Sequence, residues 1–356
     1  MKDYHFFKET MDRFNKAMKG IPDRVPVYAQ IHEFAMNEMG YSPDEFYTDP
    51  EKLVTSVLEV YTRYGLDAPY VDFDVYNIEA SGIGQRIKFS KDSMPDVDRS
   101  DLLIKDKSDI KKIKTPDFGS SGRFPFVIEA NRIFYELTGI PVTINFTAPF
   151  SLAANIRGIE NLIFDIIDDP EFAKELFTRL TEELIIPWIL YQKEKVPEVY
   201  SIVGSDATAS LPILSIEMLN EWVVPYIIEI RNAVGNDTYV SNWIGERYLD
   251  NPEKMFDAKL KVSPTFLEGQ DPDVEELGPE IYKKYTNQHD VSLILGVGTS
   301  FLAQAKPEDI EKRIEYYIRV GGKGGRFGLY LCNIGRTTPP ENLKAAVDAA
   351  YKYGKY

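Results

Sequence analysis

The 356-residue chain has one cysteine, Cys332, and three histidines. A single thiol excludes a disulfide framework and any zinc module built on several cysteines. It fits a reducing compartment, so a cytoplasmic location is expected. No run approaches the roughly 18 uninterrupted apolar residues of a membrane-spanning helix. The charged, amphipathic stretch from Met1 to Lys19 lacks the apolar segment of a signal peptide. Positive charge is scarce too: 41 Lys+Arg stand against 56 Asp+Glu, for a net charge of −15 and a pI near 4.8. That balance argues against a nucleic-acid binder, which needs a basic face, and against docking on an anionic membrane.

What is present is enough for a large core. Hydrophobic residues make up 44% and aromatics 13%, which rules out disorder as the main state. Short β-rich runs alternate with longer helical patterns. The runs Arg24–Ile31, Ala68–Phe73, Pro141–Phe146, Val199–Gly204, Thr238–Trp243, Pro264–Glu268, Val291–Gly296 and Arg326–Leu331 predict eight strands. Several are continuous β-branched or aromatic stretches, as expected of strands buried on both faces. Helices are expected at Pro50–Tyr64, Pro170–Tyr191, Ile216–Val234, Asp273–Tyr285, Pro307–Val320 and Pro340–Tyr353, with Asp49 as an N-cap before Pro50. Eight such alternations predict an α/β fold, a (β/α)8 TIM barrel. It would span residues 1–356 as a single domain, with a helical extension at 1–23 and a hairpin insertion near 82–103.

In a barrel of this kind chemistry collects where strands end and helices begin. The polar residues at those places are His32 and Glu33, Asp72, Asp74 and Tyr76, Asn155, Ser205 and Asp206, Asn242, Glu268, and Cys332 with Asn333. Asp74, Tyr76, Asp206 and His32 are the candidates for acid catalysis. Asn155, Asn242, Phe150 and Trp243 are the candidates for binding a substrate. Gly296-Val297-Gly298-Thr299 is expected to be mouth backbone that allows close approach. Gly321-Gly322-Lys323-Gly324-Gly325-Arg326 leads into a strand rather than a helix, so it reads as a flexible loop and not a phosphate cradle.

Four segments carry a resemblance. Asp23-Arg24-Val25-Pro26-Val27, Gly65-Leu66-Asp67-Ala68-Pro69-Tyr70-Val71 running into Asp74, Phe146-Thr147-Ala148-Pro149-Phe150-Ser151-Leu152 and Thr338-Pro339-Pro340-Glu341-Asn342-Leu343-Lys344-Ala345 are similar to uroporphyrinogen decarboxylase-like proteins, from roughly Arg13 to Ala350. The resemblance implies the (β/α)8 barrel. It also implies a choice, because true decarboxylases in that family stand beside corrinoid-dependent methyltransferases. Decarboxylases hold substrate carboxylates with paired arginines after the first strand. Here that region reads Gln30-Ile31-His32-Glu33-Phe34, and a polycarboxylate needs several guanidinium forks. The thiol-methylating branch binds zinc through His-x-Cys and a later Cys; this chain has Asn242, Ile244 and Cys332 there.

The branch that resembles it most is the first methyltransferase of corrinoid-dependent O-demethylases from anaerobic bacteria. Their proposed zinc pattern, Glu-x14-Glu-x20-His, is matched by Glu253, Glu268 and His289. The barrel reading puts His289 on the opposite, stability face, about six strand residues of about 3.3 Å from the mouth. A zinc site from Glu268 and Cys332, with His32, is the geometric alternative. The expected activity is transfer of a methyl group from a methylated small molecule, such as an aryl methyl ether, to a corrinoid carried by a partner protein. A methyl–oxygen bond needs its leaving oxygen protonated or coordinated. The alternatives are decarboxylation of a tetrapyrrole, which would draw on Arg157 and Arg336, and a non-catalytic small-molecule-binding barrel.

Overall fold

The computed structural model describes residues 3–90 and 94–356. In chain order its strands are β1 (Val27–Ala29), the short pair β2 (Ile87–Lys88) and β3 (Asp96–Val97), then β4 (Val142–Thr147), β5 (Val199–Ser205), β6 (Thr238–Val240), β7 (Phe266–Gln270), β8 (Ser292–Val297) and β9 (Phe327–Leu331). Apart from the antiparallel β2–β3 hairpin, every strand pairing is parallel. Helices follow the strands, as expected of an α/β barrel. Pro50–Tyr64 and Pro340–Tyr353 form helices with the expected bounds, and Asp49 caps the first by accepting from Glu51 N and Lys52 N. Among the described residues no helix is long and apolar enough to cross a membrane.

The predicted helix over 170–191 runs on to Lys195 and contains a π turn at Leu180–Ile185, just before Pro187. Pro187 brings no backbone N–H, and a local π turn absorbs such an interruption. The stretch predicted as a helix over 216–234 breaks at Val223, before Pro225, and that over 273–285 breaks at Gly278.

The ladder comes in two arcs, β7–β8–β9–β1 with neighbours in the order β1-β9-β8-β7, and β4-β5-β6. The second predicted strand, Ala68–Phe73, lies between β1 and β4 without a ladder of its own. Ala68 sits at φ +48° and Pro69 has no N–H to donate, so regular pairing is lost there. Side chains close this seam instead. Asp67 accepts from Arg13 Nη1 (2.7 Å), Arg24 Nη1 (2.6 Å) and Val27 N (3.0 Å). Tyr61 Oη donates to Ala29 O (2.6 Å), and Asn145 Nδ2 donates to Val71 O (3.2 Å). A second seam lies between β6 and β7. There Ser241 Oγ donates to Glu268 Oε2 (2.6 Å), Ser263 Oγ to Val240 O (3.0 Å), and Lys259 Nζ to Glu268 O (2.8 Å).

The strands were expected to be apolar on both faces. Their outer faces are: Phe327, Leu329 and Leu331 are fully buried under the helices. Their inner faces are polar and aromatic. Thr143 and Ser201 share a hydrogen bond (3.1 Å), Tyr330 Oη donates to Gln30 Oε1 (3.1 Å), and Gln30 donates to Asp72. Tyr28 stacks on Tyr330 at 4.9 Å, and Tyr239 meets Phe266 edge-on at 5.0 Å. Barrel interiors are usually filled by Val, Ile and Leu; this one alternates polar and apolar residues with period two.

Candidate active site

The mouth is built around the helix Val75–Gly82, which begins where the unladdered segment 68–73 ends. The Tyr76 hydroxyl accepts from Ala207 N (3.2 Å) and Asn242 Nδ2 (3.1 Å), and its backbone O accepts from Asn155 Nδ2 (2.7 Å). Two donors occupy the phenol oxygen, so its own hydrogen is free to point elsewhere. Burial pushes this phenol up to about 12, so it stays protonated. Asn242 Oδ1 in turn accepts from Asp206 N (2.9 Å).

Asp206 is fully buried, and its carboxyl accepts from Ser151 N (3.0 Å) and Trp243 Nε1 (3.2 Å). No cation faces it. Burial therefore dominates and lifts it to about 7. Tyr76, Asn155, Asn242, Asp206 and Trp243 thus form one hydrogen-bonded chain. Asp206 and Trp243 brace its far end inside the wall and do not front the mouth.

Asp74 turns the other way. It pairs with Arg123 and accepts from Asn77 Nδ2 (3.2 Å), and its Oδ1 is buried without a hydrogen bond from the described residues. Arg123 lies between the rings of Phe89 and Phe126 and helps line a cleft of about 360 Å³ with Tyr47 and Ser81. Phe150 is fully buried and stacks on Phe177 at 6.1 Å, so it packs the shell rather than a pocket. His32 begins the helix His32–Glu38, and its side chain lies outside the described residues.

The spacing pattern Glu253, Glu268, His289 is not gathered. His289 is exposed in the last turn of the helix Pro279–His289 and stacks on Tyr285 at 4.1 Å. Glu253 begins the outer helix Glu253–Val262. Glu268 points into the barrel, because alternate residues of β7 face opposite sides. Glu268 and Cys332 do share the interior. Burial and the nearby negative charge of Glu268 and Asp271 push the thiol well up, which keeps it protonated. Both oxygens of Glu268 are taken, by Ser241 and Gln270. Among the described residues no three His, Cys, Asp or Glu side chains converge as metal ligands.

Sequence reasoning missed Glu79, Ser151, Ser241, Gln270, Tyr28 and Tyr330. Glu79 accepts from Thr147 N (2.9 Å) and Thr147 Oγ1 (2.7 Å) at the end of β4, and burial still lifts it to about 7. The signal was the two-residue alternation in Tyr28-Ala29-Gln30, Tyr239-Val240-Ser241, Glu268-Gly269-Gln270 and Tyr330-Leu331-Cys332. A Cβ at Gly296 would collide with Cys332 Sγ, so the expected close approach at that glycine is real.

A parallel α/β barrel with a polar mouth at the strand ends is the class that this fold and site define. Residues 9–353 match uroporphyrinogen decarboxylase (URO-D), and the chain belongs to that family. A solved methyltransferase from Methanosarcina mazei is similar at 20% identity, covering 97% of this chain and 98% of that one, with a TM-score of 0.78. A B12-independent methionine synthase from Shewanella sp., solved with selenomethionine, is similar at 11% identity, with 86% and 87% covered and a TM-score of 0.50. Comparison by sequence with curated proteins finds no match.

Proposed function

We propose that the protein transfers a methyl group from a methylated small molecule to a corrinoid carried by a partner protein. The observation that carries this reading is the commitment of the arginines. A tetrapyrrole decarboxylase needs guanidinium groups facing its substrate's carboxylates. Here Arg157 forks onto Asp165 (2.8 Å from Nε) and donates to Lys105 O (2.6 Å), while Arg123 is tied to Asp74. The likeness to a methyltransferase over 97% of the chain supports the same choice of fold variant.

Methyl transfer asks little of the protein beyond binding, aiming and stabilising the leaving group. The methyl carbon is attacked by the reduced cobalt that the partner brings. The chain's part is to hold the donor with its methyl group toward the mouth. Tyr76 is the group best placed to help departure, since its O–H is protonated, anchored from behind by Ala207 N and Asn242, and has no acceptor among the described residues. Asp206 is held out of reach by Ser151 and Trp243, so it positions and does not protonate.

The test is a single-turnover reaction of the purified protein with photoreduced cob(I)alamin and a panel of methylated ethers, amines and sulfides, read as conversion of the Co(I) absorbance to that of methylcobalamin. Conversion with at least one donor is expected. Release of CO2 from uroporphyrinogen, with no methylcobalamin from any donor, would overturn the reading in favour of decarboxylation.

A further inference from the structure

In the interior of the barrel the carboxyl group of Glu268 lies among aromatic rings. It accepts from Ser241 and Gln270 with one oxygen each, and among the described residues both donors are neutral. Among the buried Lys and Arg of the described chain, Lys283 donates to Gly325 O, Arg24 pairs with Asp67 and Arg157 with Asp165, while Lys259 pairs with Glu246 and donates to the backbone O of Glu268 (2.8 Å), not to its carboxyl oxygens. Rings surround the carboxylate instead. Tyr28 stacks on Tyr330 and meets Tyr70 edge-on, Tyr239 meets Phe266 edge-on, and these rings pack with Cys332 on the inner face, where Ser241, two residues on from Tyr239, donates to Glu268.

There is also room. Tyr28, Tyr70, Tyr239 and Gln270 are only half-buried, although each is enclosed by strands and, outside those, by helices. Residual exposure at such positions requires open space inside the barrel. Tyr28 donates no hydrogen bond to any described residue, so its phenol ends in that space. A carboxyl group held by neutral donors beside π-faces and an unfilled volume is the environment that favours a soft, weakly hydrated cation.

Resting on the methyl-transfer reading above, we propose that the methyl donor is a small quaternary ammonium compound, cupped by the rings of Tyr28, Tyr239 and Tyr330 against the carboxylate of Glu268. The chemistry balances without an acid. The N–CH3 bond breaks with its electron pair left on nitrogen, which departs as a neutral tertiary amine. The new bond to carbon uses the electron pair of the partner's Co(I) corrinoid, and no proton moves. A neutral leaving group removes the demand for protonation that an ether imposes.

Binding is measured first, without corrinoid, by calorimetric titration of the full chain with choline, tetramethylammonium and 3,3-dimethylbutan-1-ol, the uncharged isostere of choline. Choline is expected to bind on the order of tenfold or more tighter than the isostere. Glu268→Gln keeps the hydrogen-bonding shape and should erase that preference. Tyr28→Phe should retain choline affinity within about twofold, and Tyr28→Leu should lose on the order of tenfold. Equal binding of choline and its isostere, or no binding of either cation, would overturn the proposal. The cobalamin reaction separates the two readings. Cation binding without methylcobalamin formation would sustain the cage and sink methyl transfer. Methyl transfer from an ether with no cation binding would do the reverse.

Discussion

The two seams of the sheet solve one problem in different ways. Both replace a missing backbone ladder with side chains. The seam at residues 68–73 is closed at its lower end by an ionic knot, with Asp67 between Arg13 and Arg24, and Arg24 in turn lies 3.8 Å over the ring of Tyr351. This knot joins two of the segments that carry the family resemblance, and it touches none of the mouth residues. The seam between β6 and β7 is closed by Ser241 and Lys259 on Glu268. There one residue both stitches the wall and faces the interior. A seam built on opposite charges can be distant from function. A seam in which the lysine takes the backbone oxygen and a serine takes the carboxyl group leaves that group facing the interior.

The largest effect should come from the first seam. Asp67→Asn leaves the buried Arg24 guanidinium without its carboxylate, while Arg13 keeps Asp23, and breaking such a buried pair typically costs about 3–5 kcal/mol. Denaturant unfolding should show that loss while the folded variant binds choline as the parent does. A parallel loss of choline affinity would mean that the seams are coupled.

Next comes the upper end of the same seam, where Glu79 ties the helix Val75–Gly82 to β4. Its carboxyl is raised from an ordinary 4.5 to about 7. Between those values the folded chain keeps a proton that the unfolded chain has released, so stability falls as pH rises through that window. The full penalty above pH 7 is about 3 kcal/mol. Glu79→Gln escapes it, so melting curves should show its advantage over the parent growing from pH 4 to pH 8. A difference that stays flat across that range would show that Glu79 is ionised in the fold.

Tyr76→Phe should lower methyl-transfer turnover from an ether donor on the order of 10- to 100-fold, leave transfer from a quaternary ammonium donor nearly unchanged, and change the melting temperature little. Its measurement is the cobalamin absorbance trace, and unchanged turnover of the ether would remove Tyr76 from the mechanism. The smallest effect belongs to the second seam. Ser241→Ala deletes one hydrogen bond to Glu268 and should cost about 1 kcal/mol in denaturant unfolding. It should leave the preference for choline over its isostere intact, because the carboxylate remains.

Much of this was legible along the chain. Seven of the eight expected strands are laddered, and two of the helices that begin at a proline, Pro50–Tyr64 and Pro340–Tyr353, have the expected bounds. The convergence of Tyr76, Asn155, Asn242 and Asp206 followed from strand order alone, because a barrel brings strand ends to one mouth. What each does there did not follow. Asp74 and Asp206 are equally acidic in sequence, yet one meets Arg123 and the other meets Trp243 and Ser151. Glu253, Glu268 and His289 had the right spacing, but spacing measures distance along the chain, and a helix and a strand carried them to different faces.

The sequence by itself determined the barrel, since alternating β and α periods with capped helix starts are local properties, read residue by residue. Only the tertiary structure decided which charges are balanced. A carboxylate is met by a guanidinium from 49 residues away at Asp74 and, among the described residues, by neutral donors on the carboxyl oxygens of Glu268. Electrostatic compensation depends on separation in space and on burial, and neither is a property of a residue's neighbours in the chain.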